Sequence, residues 1–293
     1  MKKKQRIQQK KIRLLPYLLI LPSLLLYICF TYFPFGRTVV SSFAITTETG
    51  KFLRWAGLTN WIRTFNNPLF WKVLKNTFLF AGMNFAITIV VGMIFALLSV
   101  NKRRGSRIYQ TLYALPMAAA AAPMASIWIF VFRENAGVLN QLLGTEIAWL
   151  HDTKTVLASV GFATAWGHAA SRYIYLLVGF RNVPDDLLEA ATIDGAGKLT
   201  RIIKIMLPMA SPQIFFVIFL DIVTSFKTFT QIRLLGAGGK MAASTTLMYE
   251  VYQKASINGQ FEYASCYAIV LFLIIFIVTR IQFLFEKRMV YYQ

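Results

Sequence analysis

Cysteine, histidine and acid are scarce in this chain. Two cysteines and two histidines among 293 residues leave no spacing for a metal site or a disulfide framework. Cys29 and Cys266 fall within or at the edge of apolar runs, where a thiol is a packing group. No GxxxxGK[ST] phosphate loop occurs, so nucleotide binding through that device is excluded. Only 15% of residues are charged, with 12 acids against 31 bases and a formal net charge of +19. The bases are not gathered on a soluble domain, which argues against nucleic-acid binding.

Hydrocarbon is what the chain has in plenty. Hydrophobic residues make up 57% and the mean hydropathy is +0.55, values that belong to a membrane protein. Apolar stretches long enough to cross about 30 Å of lipid at about 1.5 Å per residue fall near 14–36, 74–100, 108–132, 155–180, 212–232 and 264–285. The first run follows MKKKQRIQQKKIR, as a signal peptide would, but it is too long and has no small-x-small cleavage site, so a retained helix is expected.

Lysine and arginine set the orientation, because cationic segments stay on the cytoplasmic side. Residues 1–13 hold seven bases, and the loop Asn101–Arg107 holds four and no acid. Both then lie inside, and six spans return the C-terminus there as well. The expected fold is an all-α integral membrane protein: a basic tail 1–13, a first span with an external segment 14–73, a core of five spans 74–285, and a tail 286–293. Segments 37–73, 133–154 and 233–263 lie outside in this scheme, and much of the net charge sits near anionic headgroups.

The longest internal connection, residues 181–212, carries acids, bases, glycines and prolines together and reads as helix, turn, helix. Pro184 suits a first helical position, and Asp185 and Asp186 suit a helix N-terminus. At about 100° per residue Asp185, Asp186 and Glu189 share one face, with Leu187, Leu188 and Ala191 nearly opposite. Asp194-Gly195-Ala196-Gly197 reads as a stop and turn. Leu199, Ile202, Ile203 and Met206 then recur at helical spacing, flanked by Lys198, Arg201 and Lys204, a pattern for a helix at the lipid interface with its bases among headgroups. Pro208 and Pro212 break it before the next span.

From the residues alone this hairpin is either a connector lying on the membrane or a partner's docking point. Glu189-Ala190-Ala191, Asp194-Gly195-Ala196, Leu207-Pro208 and Pro212 resemble the EAA signature of permease subunits of bacterial ATP-binding-cassette importers. RGSRIYQTLYALPMAAAAAPMASIWIFVF (104–132), YLLVGFRNVPDDLLEAATIDGAG (175–197) and QFLFEKRMVYYQ (282–293) resemble the carbohydrate branch, in particular its glycerol-3-phosphate permeases. The resemblance implies a type I importer permease in a bacterial cell membrane, working by alternating access. It implies that Glu189, Ala190, Ala191, Asp194 and Gly195 contact a cytoplasmic ATPase. The permease itself would carry no cofactor and be no enzyme, since ATP and magnesium would be bound by two ATPase subunits. A second, similar permease and an extracytoplasmic solute-binding protein would complete the assembly. The stretch 231–255 resembles a family segment at the outer surface, with Lys240 where proline is usual.

Ionisable groups within hydrocarbon are costly and therefore candidates for function. Arg172 and Asp221 share a depth and can pair with each other or meet substrate. His168, one turn from Arg172, is either a hydrogen-bonded packing residue or a substrate contact. Lys227 stands where similar permeases often carry an acid. With Arg172 and Arg233 it would suit an anionic solute held by charge-assisted hydrogen bonds; snorkelling to headgroups is the other role for these bases, and the cargo is then a neutral sugar or oligosaccharide. The run PMAAAAAPMAS (116–126) permits tight helix packing, or a break at Pro116 and Pro123. The alternative function is an integral-membrane enzyme acting on lipid or a lipid-linked sugar. It would need convergent nucleophile, base or metal ligands that two distant histidines and scattered acids do not supply.

Overall fold

A computed structural model describes residues 16–101, 104–236 and 243–290, with the side chains of 287–289 left out. The basic tail 1–13, two bases of the 101–107 loop, Lys240 and the chain end at 291–293 lie outside the described residues. The protein is mostly helical. Among the described residues three helices are long and apolar enough to cross a membrane: α1 (Pro16–Ser42), α3 (Pro68–Ser99) and the stretch Phe261–Glu286. Two bent helix pairs raise the number to five if each pair is one span.

The first bent pair is α4 (Ser106–Ala118) with α5 (Ala121–Val131), which meet at 103°. Ala119 and Ala120 between them are extended, at ψ 130° and 155°. Pro123 lacks the N–H that would carry the helix across this point, so the chain starts a new helix instead. Ala118, Ala120, Ala121, Ala122 and Pro123 are exposed. The small-residue run is thus an elbow, and these residues do not pack helices together within the chain. The second pair is α9 (Lys198–Met209) with α10 (Ser211–Lys227), bent by 71°. Pro212 stands in the first turn of α10, just after the break, as expected of a residue that cannot continue a ladder but can begin one, and Pro208 stands in the last turn of α9, just before it.

Helix α7 (Val156–Arg181) matches the expected segment 155–180 to within a residue, yet it fails the apolarity test for a span. Its polar and small residues are covered by other helices, so lipid apolarity is not required of most of its surface. The partner is α3, whose buried stripe runs Asn76, Thr77, Phe80, Ala81, Asn84, Thr88, Gly92, Ala96 and Ser99, while Leu79, Val90, Ile94 and Leu98 face outward. Polar and small groups are inside and apolar ones outside because the surrounding solvent is lipid. A methyl on Gly92 would sit 3.3 Å from the Tyr173 amide and 3.5 Å from the Ala169 carbonyl, so this glycine sets how closely the two backbones approach.

The segment after α1, expected to be external, is folded, with a feature the all-helical expectation did not include. Strands β1 (Ala44–Thr46) and β2 (Phe52–Trp55) pair antiparallel, joined through Gly50 at φ +74°. Helix α2 (Thr59–Phe65) follows, and Asn60 donates to the carbonyls of Ser42 and Ala44 at 3.1 and 2.8 Å. Thr46 donates to Glu262 at 2.6 Å, and the Phe261 ring lies over Gly50, so the hairpin is tied to the start of the last helix.

After α7 come α8 (Asp185–Ile193) and, beyond α10, α11 (Thr230–Gly236), α12 (Leu247–Tyr252) and α13 (Phe261–Met289). The expected span at 212–232 ends earlier, at Lys227, because Thr228 turns extended at ψ 125°. A short helix α6 (Val138–Leu143) folds the 133–154 loop. Three buried apolar clusters hold the body. One joins Phe80, Phe132, Val160 and Ile232, a second Tyr173, Phe180, Met206 and Val217, and a third Phe70, Phe226, Leu247 and Tyr267.

Candidate functional site

Two places concentrate the chain's polar chemistry, and they are built in opposite ways. The first is a buried seam where α3, α7 and α10 meet. Arg172 Nε donates to Asp221 Oδ1 at 3.0 Å, with side-chain exposures of 7% and 0%. The same guanidinium donates from Nη1 to Ser171 Oγ at 3.1 Å and from Nη2 to the Leu220 carbonyl at 3.4 Å and to Thr224 Oγ1. Four hydrogen bonds within the chain therefore occupy the cation, as desolvating a charge in such a place requires.

Next to this pair Asn84 gathers a second set of partners. Its Oδ1 lies 3.2 Å from His168 Nδ1, 3.1 Å from Ser225 Oγ and 3.3 Å from Thr88 Oγ1. Rotating the amide by half a turn exchanges oxygen and nitrogen and keeps the same neighbours, so His168 enters as donor or as acceptor. Asn84 Nδ2 and Asp221 Oδ2 are buried without a hydrogen-bond partner among the described residues. His168, Arg172 and Asp221 are thus brought together, one set of partners joining α3 to α7 and α10, the other α7 to α10. Lys227 is not part of it. It is exposed at the end of α10, six residues and about 9 Å of helix beyond Asp221. Arg233 stacks on aromatic rings, its guanidinium carbon 4.9 Å from the centre of Tyr252 and 6.0 Å from that of Phe229.

Asn84, Thr88, Thr224 and Ser225 were not singled out from the sequence. The signal was present: Asn84 and Thr88 stand four apart in an otherwise apolar run, which places two polar groups on one helix face.

The second place is the hairpin of α8 and α9. Helix α8 begins at Asp185, with Pro184 one position earlier than expected and extended at ψ 131°. Its end is closed by a Schellman cap. Gly195 adopts φ +82°, its N–H bonds to the Thr192 carbonyl at 3.1 Å, and the Ala196 N–H bonds to the Ala191 carbonyl at 2.8 Å. Leu188 packs onto the body and Ala191 is half-buried, while Asp185, Asp186, Glu189, Ala190, Asp194 and Gly195 are exposed. Leu187 is exposed as well, so the apolar face turned to the body is narrower than the helical wheel suggests. Ile193 is 87% exposed, and nothing lies within 4 Å of where a Gly195 side chain would start.

Arg201 corrects one expectation. It does not reach out among headgroups; its Nη1 donates to Thr192 Oγ1 at 2.6 Å, because the tight cap lays α9 back alongside α8. Ile202 and Met206 pack inward with it, whereas Leu199 and Ile203 remain exposed.

This architecture matches solved structures. The chain aligns over 97% of its length, with a TM-score of 0.85 and 19% identity, to 99% of a chain from a bacterial ABC transporter involved in the import of the acidic polysaccharide alginate. A second structure of a bacterial alginate transporter, in complex with an alginate pentasaccharide-bound periplasmic protein, matches at TM-score 0.83 and 18% identity over 96% of both chains. Among sequences, the sn-glycerol-3-phosphate transport system permease protein UgpA of Yersinia enterocolitica serotype O:8 is 33% identical over 283 residues, covering 95% of this chain and 96% of that one. UgpA of Salmonella typhimurium strain LT2 is 31% identical over 285 residues, covering 96% and 97%.

Fold and relatives together define a multi-pass inner-membrane transport permease of an ABC importer, not an enzyme. The chain belongs to the binding-protein-dependent transport system inner membrane component family, whose pattern matches residues 88–291.

Proposed function

We propose that this chain is one of two similar permease subunits of an importer for a carbohydrate or an anionic relative of one, a phosphorylated polyol or an acidic sugar. In this reading it crosses the membrane six times: α1, α3, the α4–α5 pair, α7, α10 and α13, with both termini cytoplasmic. The exposed face of α8 supports the reading most directly. Glu189, Ala190 and Ala191 lie on this helix, and Asp194 and Gly195 in the turn that closes its C-terminal end internally, so its exposed side is free to meet another protein. That protein is a cytoplasmic ATPase, one of two, and ATP with magnesium is bound there. Closure of the ATPases pulls on α8, and the bend between α9 and α10 passes the motion to the helix that carries Asp221. An extracytoplasmic binding protein delivers the solute to the outer face.

Two relatives support an anionic cargo by the substrates in their names, sn-glycerol-3-phosphate and acidic alginate. Lys227, exposed on the outward side of the seam, is the residue here best placed to meet a negative group. His168, Arg172 and Asp221 border the pathway, and the bond of His168 to Asn84 and of Arg172 to Asp221 supports a part in shaping it. The enzyme alternative is displaced, since the family and its named relatives are transport permeases.

The test is co-purification followed by a solute screen. A tagged chain should bring down a second permease and an ATPase, and the associated binding protein should bind anionic sugars or polyol phosphates. Absence of any ATPase removes the importer reading. Neutral oligosaccharides as the sole hits remove the anionic cargo.

A further inference from the structure

A small cavity lies between the end of α3 and the α8–α9 hairpin, with a volume of about 110 Å³. Its polar lining is Asn101, Lys198 and Arg201, and no acid lines it among the described residues. Leu97, Val100 and Ile202 supply apolar wall. At about 30 Å³ per water in the liquid, this volume suits a group the size of a phosphodiester.

Arg201 is held for such a ligand. Its Nη1 is committed to Thr192, which sets the orientation of the guanidinium, while its Nε is buried and has no hydrogen-bond partner among the described residues. A buried N–H left unpaired is unfavourable, and an oxyanion is the acceptor that suits a guanidinium best. Residues adjacent in sequence to the lining, Leu98, Leu199 and Ile203, are exposed apolar groups. Acyl chains can lie along them while the headgroup enters the cavity.

We propose that this cavity binds the phosphate group of an anionic phospholipid, so that a lipid of the inner leaflet joins the end of α3 to the coupling hairpin. The proposal rests on the reading of that hairpin as cytoplasmic. Basic recesses between membrane helices on that side recognise such headgroups, and here the apolar walls select a lipid over a soluble phosphate.

The test uses the assembled importer in nanodiscs of equal parts phosphatidylglycerol and phosphatidylcholine, with retained lipid measured by native mass spectrometry. Wild type should retain phosphatidylglycerol, and Lys198→Gln should lower retention about fivefold, the equivalent of roughly 1 kcal/mol per cation at the surface. Lys198→Gln with Arg201→Gln should lower it further, and Arg54→Gln on the outer hairpin should leave it unchanged. Equal retention by wild type and the double variant overturns the site, as does an equal loss in Arg54→Gln. Displacement of the lipid by inorganic phosphate, but not by chloride at matched ionic strength, makes the ligand a free anion and overturns the lipid assignment. ATPase co-purification is scored on the same samples, so failure of the lipid site and failure of the importer reading are separate results.

Discussion

The seam around Arg172 and the hairpin around Glu189 use polar residues for opposite ends. In the seam every charge faces another group of the same chain, and Asp221 is fully buried. On the hairpin the acids face outward, and the bonds made within the chain are the cap at the end of α8 and the link from Arg201 Nη1 to Thr192. Polar groups inside a membrane protein hold helices in place; those that protrude are available to partners. The comparison predicts that the seam governs stability, the hairpin governs coupling, and substitutions separate the two.

The largest effect belongs to the seam. Asp221→Ala leaves the Arg172 guanidinium buried without its counter-charge, and removing one partner of such a pair costs about 3–5 kcal/mol. Purified Asp221→Ala should lose that much in denaturant or thermal unfolding in detergent. Arg172→Met with Asp221→Leu should recover most of it, since an apolar pair of similar volume needs no desolvation. An Asp221→Ala protein as stable as wild type would remove the clamp and return both residues to the list of substrate contacts.

Glu189→Lys is the counterpart on the hairpin. Glu189 is exposed with no partner to lose among the described residues, so stability should stay within about 0.5 kcal/mol of wild type. Uptake should nonetheless fall more than tenfold, because the reversed charge now sits in the proposed ATPase contact. Normal uptake by a well-expressed Glu189→Lys protein would break the division of labour between the two regions.

The hairpin was legible in the sequence because its signals are local. Asp185 and Asp186 mark a helix start, and Asp194-Gly195 marks its stop; each is read from neighbours a few residues apart. The seam was half legible. Equal depth of Arg172 and Asp221 can be counted along two helices, but their rotation toward each other, and the arrival of Asn84 from a third helix, depend on how helices pack. The elbow at Ala119 and Ala120 was legible as composition alone, since alanines and prolines permit both packing and a break. The β1–β2 hairpin escaped because its strands are three and four residues long, too short for alternation to show against an apolar background.

Gly195→Val probes the cap. At φ +82° a β-branched residue is strained by about 1–2 kcal/mol, although open space surrounds the position. The strain should loosen the end of α8 alone. Membrane insertion and the unfolding of the body should be unchanged, while coupled ATP hydrolysis falls severalfold; Gly195→Asn, which tolerates this backbone, should recover part of it.

The smallest effect is the one that decides whether α8 and α9 move as a unit. Thr192 Oγ1 accepts from Arg201 and donates to the Leu188 carbonyl at 2.6 Å, so Thr192→Val removes the link between the two arms and leaves the charge and shape of the hairpin. One exposed hydrogen bond is worth about 0.5–1.5 kcal/mol, too little to unfold anything. If the arms transmit force together, solute moved per ATP hydrolysed should drop two- to threefold while ATPase binding holds, and adding Arg201→Gln should not lower this ratio further. If Thr192→Val transports as wild type does, the arms move independently, and the path from ATPase to Asp221 runs through the packed face of Leu188 instead.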